Sequence, residues 1–571
     1  MKNSIPPRPL IRTAITSLLA CTLVFSGCTG KDKGSSASAK SGNQLASDPL
    51  LLKLPTTTAA FMVMDFAGEG YRLFNQSPYG GAKNAKQSID AMIERARDAG
   101  AAEEVINVMR RVLDSSVQLG IVAADGTYTV EKVLSRSVLF GGPSTNGQIP
   151  VEAGLFLKGA PGVSMTEKVD IIKNSLSGSS LKVSEETVSG STKGFAVELP
   201  NLTSKVYFAA NAQTLGVALN KASIEGLFAS ANTGTIEAIQ AAPEYKQATT
   251  PFGTPEKPLA FTFVSLTRLR PLLDAAAKAD ESGEFKPAEI PFDALAIQSS
   301  FPKQYVHNLG MAVTPKTEVQ TKVFAALQDS ALSPSTAKLP TDAALSLSLD
   351  TRFLGKLDQV VKSIEESAPI GVTDHLKKLE SLTIGLRNNA AGSPLPDLFL
   401  VMESAGREQL GGFLESSLGT AMSLAGQNAT RQTKEIDGTP TKFFTTLVGA
   451  GVYMSTPSNS KALLIGSSDS VIKDVLAAQS GKSAGAAASL PGSLTSQIAS
   501  ANVASFYCNF GKVADVLDSV KNTLAMFTGG NSELNELLES ANIRSWGLSA
   551  GGISYTPGVL AINSSFDATA K

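Results

Sequence analysis

Apolar and polar residues alternate in short runs along this chain. Leu345-Ser346-Leu347-Ser348-Leu349 repeats every second residue, the pattern of a half-buried strand, and residues 59–65 and 344–350 both read as strands. Residues 193–199, 206–211 and 215–219 are three more strand-like runs in hairpin-like succession. Elsewhere the spacing lengthens to that of helices. Met165, Val169, Ile172 and Leu176 form one apolar stripe, and Leu414, Leu418, Met422 and Ala425 repeat its spacing. Val513, Val516, Leu517, Val520, Leu524 and Phe527 form a third. Each stripe is one-sided, so each helix must pack on something. The pattern predicts an α+β fold, mainly antiparallel sheet with amphipathic helices packed on one face.

The landmarks occur twice, in the same order. Lys53-Leu54-Pro55-Thr56 with Ala59 and Asp65 recurs without a gap as Lys338-Leu339-Pro340-Thr341 with Ala344 and Asp350, six identities in thirteen positions. Leu155-Phe156-Leu157 is matched by Leu398-Phe399-Leu400, and Val206-Tyr207-Phe208 by Val452-Tyr453-Met454. Residues 215–227 resemble 463–476, each a strand, a Ser cap and a short helix. Residues 258–274 parallel 502–518, and Thr314-Pro315 parallels Thr556-Pro557 as a turn between strands. Such recurrence predicts two tandem related modules, 50–332 and 336–571, joined by Ser333-Pro334-Ser335. The first carries a charged helical insertion at about 85–115 and a polar loop near 231–254.

The first residues carry an address. Lys2, Arg8 and Arg12 precede an uncharged stretch, 13–25, then Ser26, Gly27 and Cys28, which are the parts of an export signal. Thirteen helical residues rise about 20 Å, short of the ~30 Å hydrocarbon core, so the stretch does not read as a spanning helix. Phe25-Ser26-Gly27-Cys28 resembles the lipobox of bacterial lipoproteins, with Phe where Leu is commonest. That resemblance implies a signal peptide over 1–27, cleavage before Cys28 and lipidation of Cys28 by diacylglycerol and a fatty acid such as palmitate. Thr29, in place of Asp, implies onward passage to the outer membrane. Residues 28–49, rich in Gly, Ser, Ala and Lys, read as a flexible tether reaching on the order of 25 Å. The folded part resembles uncharacterised duplicated envelope lipoproteins and matches no functional family.

Composition narrows the partners. Of 571 residues, 43 % are hydrophobic and 18 % charged, enough for a large core. Lys plus Arg number 50 against 51 for Asp plus Glu, so no basic field favours nucleic acid. Of the 3 cysteines, Cys21 leaves with the signal and Cys28 takes the lipid, so Cys508 is the remaining thiol and no intramolecular disulfide can form. Cys508 sits in a strand-like run, Ala504 to Phe510, and reads as a core residue.

Candidate chemistry is sparse. The 2 histidines, His307 and His375, lie in no metal-binding motif and make a weak case for a catalytic triad. Gly481-Lys482-Ser483 resembles the end of a phosphate loop, but Leu476 stands where its first Gly is required. Ser-x-x-Lys occurs at Ser179–Lys182, Ser335–Lys338 and Ser470–Lys473, without a companion Lys-Thr/Ser-Gly outside the tether. Asp65 and Asp350 form a matched pair ending equivalent strands, and helix capping accounts for them better than catalysis. Trp546 reads as a packed sheet residue. No catalytic, cofactor or metal residues are expected.

The sequence therefore predicts a non-enzymatic envelope lipoprotein, a binding or scaffold protein with a membrane anchor and a protein partner, its contact region expected between the modules. A carrier of a lipid or other apolar ligand in a module cavity is the alternative, and a serine hydrolase the weakest reading. The mature N-terminus tests the address: mass spectrometry is expected to show lipid-bearing Cys28 as the first residue, and Cys28→Ser to release the protein from membranes. Cleavage elsewhere, or an unmodified Cys28, contradicts it.

Overall fold

Runs rich in aromatic and branched residues pair into ladders, and every strand pairing is antiparallel. The computed structural model describes residues 48–77, 116–144, 151–178, 181–198, 205–229, 239–279, 286–332, 339–357, 371–389, 395–424, 430–445, 451–486, 490–528 and 543–569. Residues 56, 124, 240, 254, 323 and 484 are excepted, and positions 45, 93, 94, 97, 106, 110, 361, 362, 365 and 366 are described singly. Cys28, the signal and nearly all of the tether lie outside the described residues, as does most of the 85–115 insertion. Among the described residues no helix is long and apolar enough to cross a membrane.

The chain divides into two compact units, Met1–Lys316 and Thr317–Lys571. In the first, the strands are β1 (Ala60–Asp65), β2 (Leu134–Pro143), β3 (Val151–Gly159), β4 (Lys182–Glu185), β5 (Lys193–Glu198), β6 (Lys205–Ala210), β7 (Thr214–Ala218), β8 (Pro258–Ser265), β9 (Phe292–Lys303) and β10 (Val306–Pro315). Their ladders run β4-β5-β6-β7-β3-β2-β1-β8-β9-β10. The second holds β11 (Ala343–Asp350), β12 (Leu379–Arg387), β13 (Asp397–Ser404), β14 (Thr430–Ile436), β15 (Thr439–Thr445), β16 (Gly451–Ser455), β17 (Ala462–Gly466), β18 (Ala504–Asn509), β19 (Leu548–Thr556) and β20 (Val559–Asp567). Here the order is β14-β15-β16-β17-β13-β12-β11-β18-β19-β20, the same order shifted by ten.

Register agrees as well as order. Met62, Leu139, Leu155, Val217 and Phe208 stand opposite one another across five strands of the first unit. Leu347, Ile384, Leu400, Ile465 and Met454 do so across the corresponding five of the second. Two sequence landmarks need correcting. Leu155 shares its register position with Leu400, two residues along from the Leu398 that the sequence aligned with it, because short apolar repeats align equally well in either frame. Thr314 and Pro315 end β10 rather than turning between strands.

The described helices are α1 (Glu69–Asn75), α2 (Met165–Ser177), α3 (Lys221–Phe228), α4 (Pro243–Thr249), α5 (Leu266–Ala279), α6 (Arg407–Leu424), α7 (Asp469–Gln479), α8 (Gly492–Ala499) and α9 (Phe510–Thr528), besides shorter turns. Successive strand residues point to opposite faces. In the second unit Phe399, Val401 and Leu464 pack with Val471, Ile472 and Val475 of α7 and Leu494 and Ile498 of α8. Their neighbours Met402 and Leu463 pack instead with Leu410, Leu414 and Leu418 of α6. The first unit does the same: α2 joins Leu157 and Leu215 through Met165 and Val169, while α4 sets Tyr245 edge-on to Phe263 at 4.8 Å. Helices therefore lie on both sheet faces, not on the one expected, because apolar residues point to both sides of these strands.

The loop expected at 231–254 contains α4, opened by Pro243 at its first position and buried through Tyr245 and Ala248. The contact boundary falls at Lys316, ahead of the expected joint at Ser333-Pro334-Ser335, which lies outside the described residues. Past that boundary, Phe324 stacks on Tyr555 at 5.6 Å and Leu332 N–H donates to Asn502 O at 3.0 Å, which ties the segment to the second unit.

Three strand glycines lie directly opposite aromatic rings: Gly154 opposite Phe140, Gly385 opposite Phe399 and Gly551 opposite Phe506. A Cβ on Gly385 would sit 2.0 Å from the Phe399 ring. Gly385→Ala is expected to destabilise the protein by about 1–3 kcal/mol through overpacking. Gly412→Ala, in the exposed middle of α6 with nothing within 4 Å, is expected to stabilise it by about 0.5–1 kcal/mol. Chemical denaturation of both variants checks the pair; a neutral Gly385→Ala contradicts the packing described.

Candidate functional site: an open aliphatic sheet face

The alternation of β11 is inverted. Ser346 and Ser348 are buried at 1 % and 0 % exposure, while Leu345 and Leu347 are exposed at 42 % and 49 %. β12 continues the inversion with Ser381, Thr383 and Arg387 inside and Ile384 outside at 43 %, and Leu398 of β13 is 54 % exposed. The buried side is close-packed: Ser348 Oγ and Thr383 Oγ1 are hydrogen-bonded at 2.9 Å, and Phe399 lies across Gly385. Ser348 and Thr383 fit there because they pair with each other, and the small side chain of Ser346 leaves room for the rings. The leucines are then directed outward by the pleat.

The outward side is aliphatic across three strands. Leu345 and Leu386 stand opposite each other, as do Leu347 and Ile384, and Leu349 and Leu382. Leu398 and Leu400 stand opposite Leu386 and Ile384. Cys508 and Phe506 of β18 extend the same face beside Leu345 and Leu347. α6 covers its far end at Met402 and Leu463. Burial pushes the Cys508 thiol up to about 11, so it stays protonated and apolar in character at neutral pH. At the register positions matching Leu345, Leu347 and Ile384 the first unit has Ala60, Met62 and Leu139, all half-buried, and at that of Leu398 it has buried Ala153.

Beneath the face lies a charge cluster centred on the buried pair Arg387 and Asp397. Arg387 and Asp397 stand opposite each other on β12 and β13, with Arg387 Nε donating to Asp397 Oδ2 at 3.3 Å. The guanidinium also donates to Asp342 at 3.0 Å, to Asp474 at 2.6 Å and to Ser470 Oγ at 2.7 Å. Ser470 of the Ser-x-x-Lys match is thus an acceptor for an arginine, while Lys473 is exposed. Ser179 and the Ser335–Lys338 match lie outside the described residues.

The other singled-out residues have structural partners. Asp65 accepts from Gly68 N–H at 3.0 Å and pairs with Arg136 at 3.2 Å, while Arg136 also pairs with Asp48. Asp65 therefore braces the loop ahead of α1 rather than capping its first turn, and burial raises its pKa against the pull of Arg136. Asp350, fully buried, accepts from Arg352 N–H and Ala331 N–H at 2.9 Å each and pairs with the Arg352 guanidinium. Lys482 pairs with Asp437 at 2.8 Å. Trp546 sits in a short turn, Ile543–Trp546, edge-on to Phe510 at 5.2 Å, ahead of β19 rather than within the sheet. His375 lies 4.8 Å from the Phe413 ring. Among the described residues no group of three or more His, Cys, Asp or Glu could hold a metal ion.

Ser299 Oγ and His307 Nε2 are 2.9 Å apart, the spacing of a nucleophile and its base. His307 stacks on Phe301 at 4.6 Å, and burial lowers its pKa to about 4. An imidazole so weakly basic is a poor acceptor for a serine proton near neutrality. A surface pocket of about 490 Å³ lies beside α2, with Asp170, Lys173, Glu185 and Lys193 in its lining.

No family model and no curated protein matches this sequence. Among solved structures, crystal form I of TP0453 is similar at 8 % identity over 49 % of this chain and 81 % of that one, with a TM-score of 0.21, too slight a likeness to carry an inference.

His307 supplies a pH test. Its folded pKa lies below the ordinary 6.5, so its contribution to stability is complete above about 6.5 and is lost as pH falls towards 4. The loss is expected to be about 2 kcal/mol once the partial exposure of the ring is allowed for. Denaturant titrations at intervals from pH 7 to 4 are expected to show that slope flattened in His307→Gln. An equal slope in both proteins contradicts the assignment.

Proposed function

We propose that this protein is a non-enzymatic cell-envelope lipoprotein, held on a membrane through Cys28 and acting as a binding or scaffold protein through the open aliphatic face of its second unit. We also read 50–332 and 336–571 as tandem related modules, a reading supported by the shared strand order and register.

The observation that carries the function is the inverted polarity of β11 and β12, with serine and threonine inside and leucine and isoleucine in water. Scattered exposed apolar residues need no explanation, but four on adjacent strands of one face form a patch. They expose on the order of 300 Å², and burying that area against a partner is worth about 7 kcal/mol before ordering costs. The tether over 28–49 lets such a surface stand clear of the membrane that carries it. A carrier holding an apolar ligand is the second reading, favoured by the eight aliphatic side chains of the face, Leu345, Leu347, Leu349, Leu382, Ile384, Leu386, Leu398 and Leu400.

A photo-crosslinking residue at position 347 or 384, introduced in cells, is expected to trap an adduct in the envelope fraction. The same residue at exposed Lys246 is the control and is expected to trap none. No adduct at 347 and 384, or identical adducts at 246, contradicts the proposal.

A further inference from the structure

We infer that the face formed by Leu345, Leu347, Ile384 and Leu398 takes the acyl chain of a membrane lipid. The inference rests on reading that face as the contact surface and names its occupant. β11, β12 and β13 each have a hydrogen-bonded neighbour on both sides, so their backbone N–H and C=O groups are committed to the ladders. An extended peptide laid on this face finds no backbone partner, and its own amides would lose water without compensation. The side chains add no donors: all eight aliphatic positions are Leu or Ile, and Phe506 and a protonated Cys508 continue the surface.

Size argues against a second copy of the chain as the occupant. The patch exposes on the order of 300 Å², well under the roughly 800 Å² per partner of a stable protein interface. It spans three strands, about 10 Å, and about 7 Å along each, which fits a narrow chain better than a broad surface. A hydrocarbon makes no hydrogen-bond demand and gains about 0.8 kcal/mol per buried methylene. A chain held on a membrane by its own lipid has that ligand at hand.

The test uses the mature chain with Cys28→Ser, which removes its own lipid, titrated with cis-parinaric acid, a fluorescent long-chain fatty acid. Saturable one-site binding is expected, weakened roughly tenfold or more in Leu347→Gln and in Ile384→Gln. Val117→Gln, at an exposed apolar position of the first unit, is expected to bind like the parent. A second measure needs no variant on the face: saturating fatty acid is expected to protect Leu345, Leu347, Ile384 and Leu398 from hydroxyl-radical oxidation read by mass spectrometry.

Absent saturable binding, equal binding by all three variants, or unchanged oxidation of the four face residues overturns the inference. Flotation with anionic phospholipid vesicles that is lost in Leu347→Gln and Ile384→Gln would assign the face to a bilayer surface and also overturn the single-chain occupant. If the fatty acid fails but crosslinks from position 347 reach a protein, the occupant is wrong and the contact surface stands. If both fail, both readings fall.

Discussion

The second unit depends on the register between β12 and β13, and a buried ion pair fixes it. Arg387 and Asp397 are directly opposite and fully buried. Breaking such a pair strands a charge in the interior at a cost of about 3–5 kcal/mol. A slip by one residue would do that, and it would also turn every side chain of the strand to the other face. Leucines would then crowd the space now filled by Ser346, Ser348 and Gly385, where the Phe399 ring leaves no room even for a Cβ on Gly385. Asp342, Asp474 and Ser470 complete the guanidinium's hydrogen bonds from a loop and from α7, so the same residue ties the sheet to the helix above it.

That register gives the sheet two unlike faces. The inner one is built from small hydroxyl residues, glycine and two large rings, Phe399 and Tyr507, and it is tight enough for α7 and α8 to close over it. The outer one inherits the aliphatic residues. In the first unit the register positions of Leu345, Leu347, Ile384 and Leu398 carry Ala60, Met62, Leu139 and Ala153, and none is exposed. The two units share a strand order, and this face is filled in the first and open in the second. The open face is where a binding role is most economically placed, because a surface that served folding alone would gain stability from polar residues in the same positions.

Much of this architecture was legible in the sequence, for identifiable reasons. The period-two run at 345–349 announced a strand, and the stripe at Met165, Val169, Ile172 and Leu176 announced a helix with one buried side. The order of recurring landmarks anticipated the common strand order, because each short motif kept its neighbours. Three things were not legible. Alternation tells which residues share a face but not which face is inside, and in β11 the usual assignment is reversed by Ser348 pairing with Thr383. Coverage of both sheet faces was hidden because a helix stripe does not say which side of a sheet it meets. Short helix α4 escaped notice in a polar stretch, although Pro243 followed by Tyr245 and Ala248 was a usable signal. The charge cluster was invisible for a different reason: Asp342, Arg387, Asp397 and Asp474 are spread along the chain and meet only through the fold.

The central claim is that the outward leucines of β11–β13 are open in the isolated protein and covered in the envelope. Hydroxyl-radical footprinting read by mass spectrometry measures this residue by residue. Leu345, Leu347, Ile384 and Leu398 are predicted to oxidise readily in the delipidated, purified chain and to be protected in native membranes, while Val117 oxidises equally in both. Equal oxidation of the four in both preparations, or protection in the purified chain, would contradict the account.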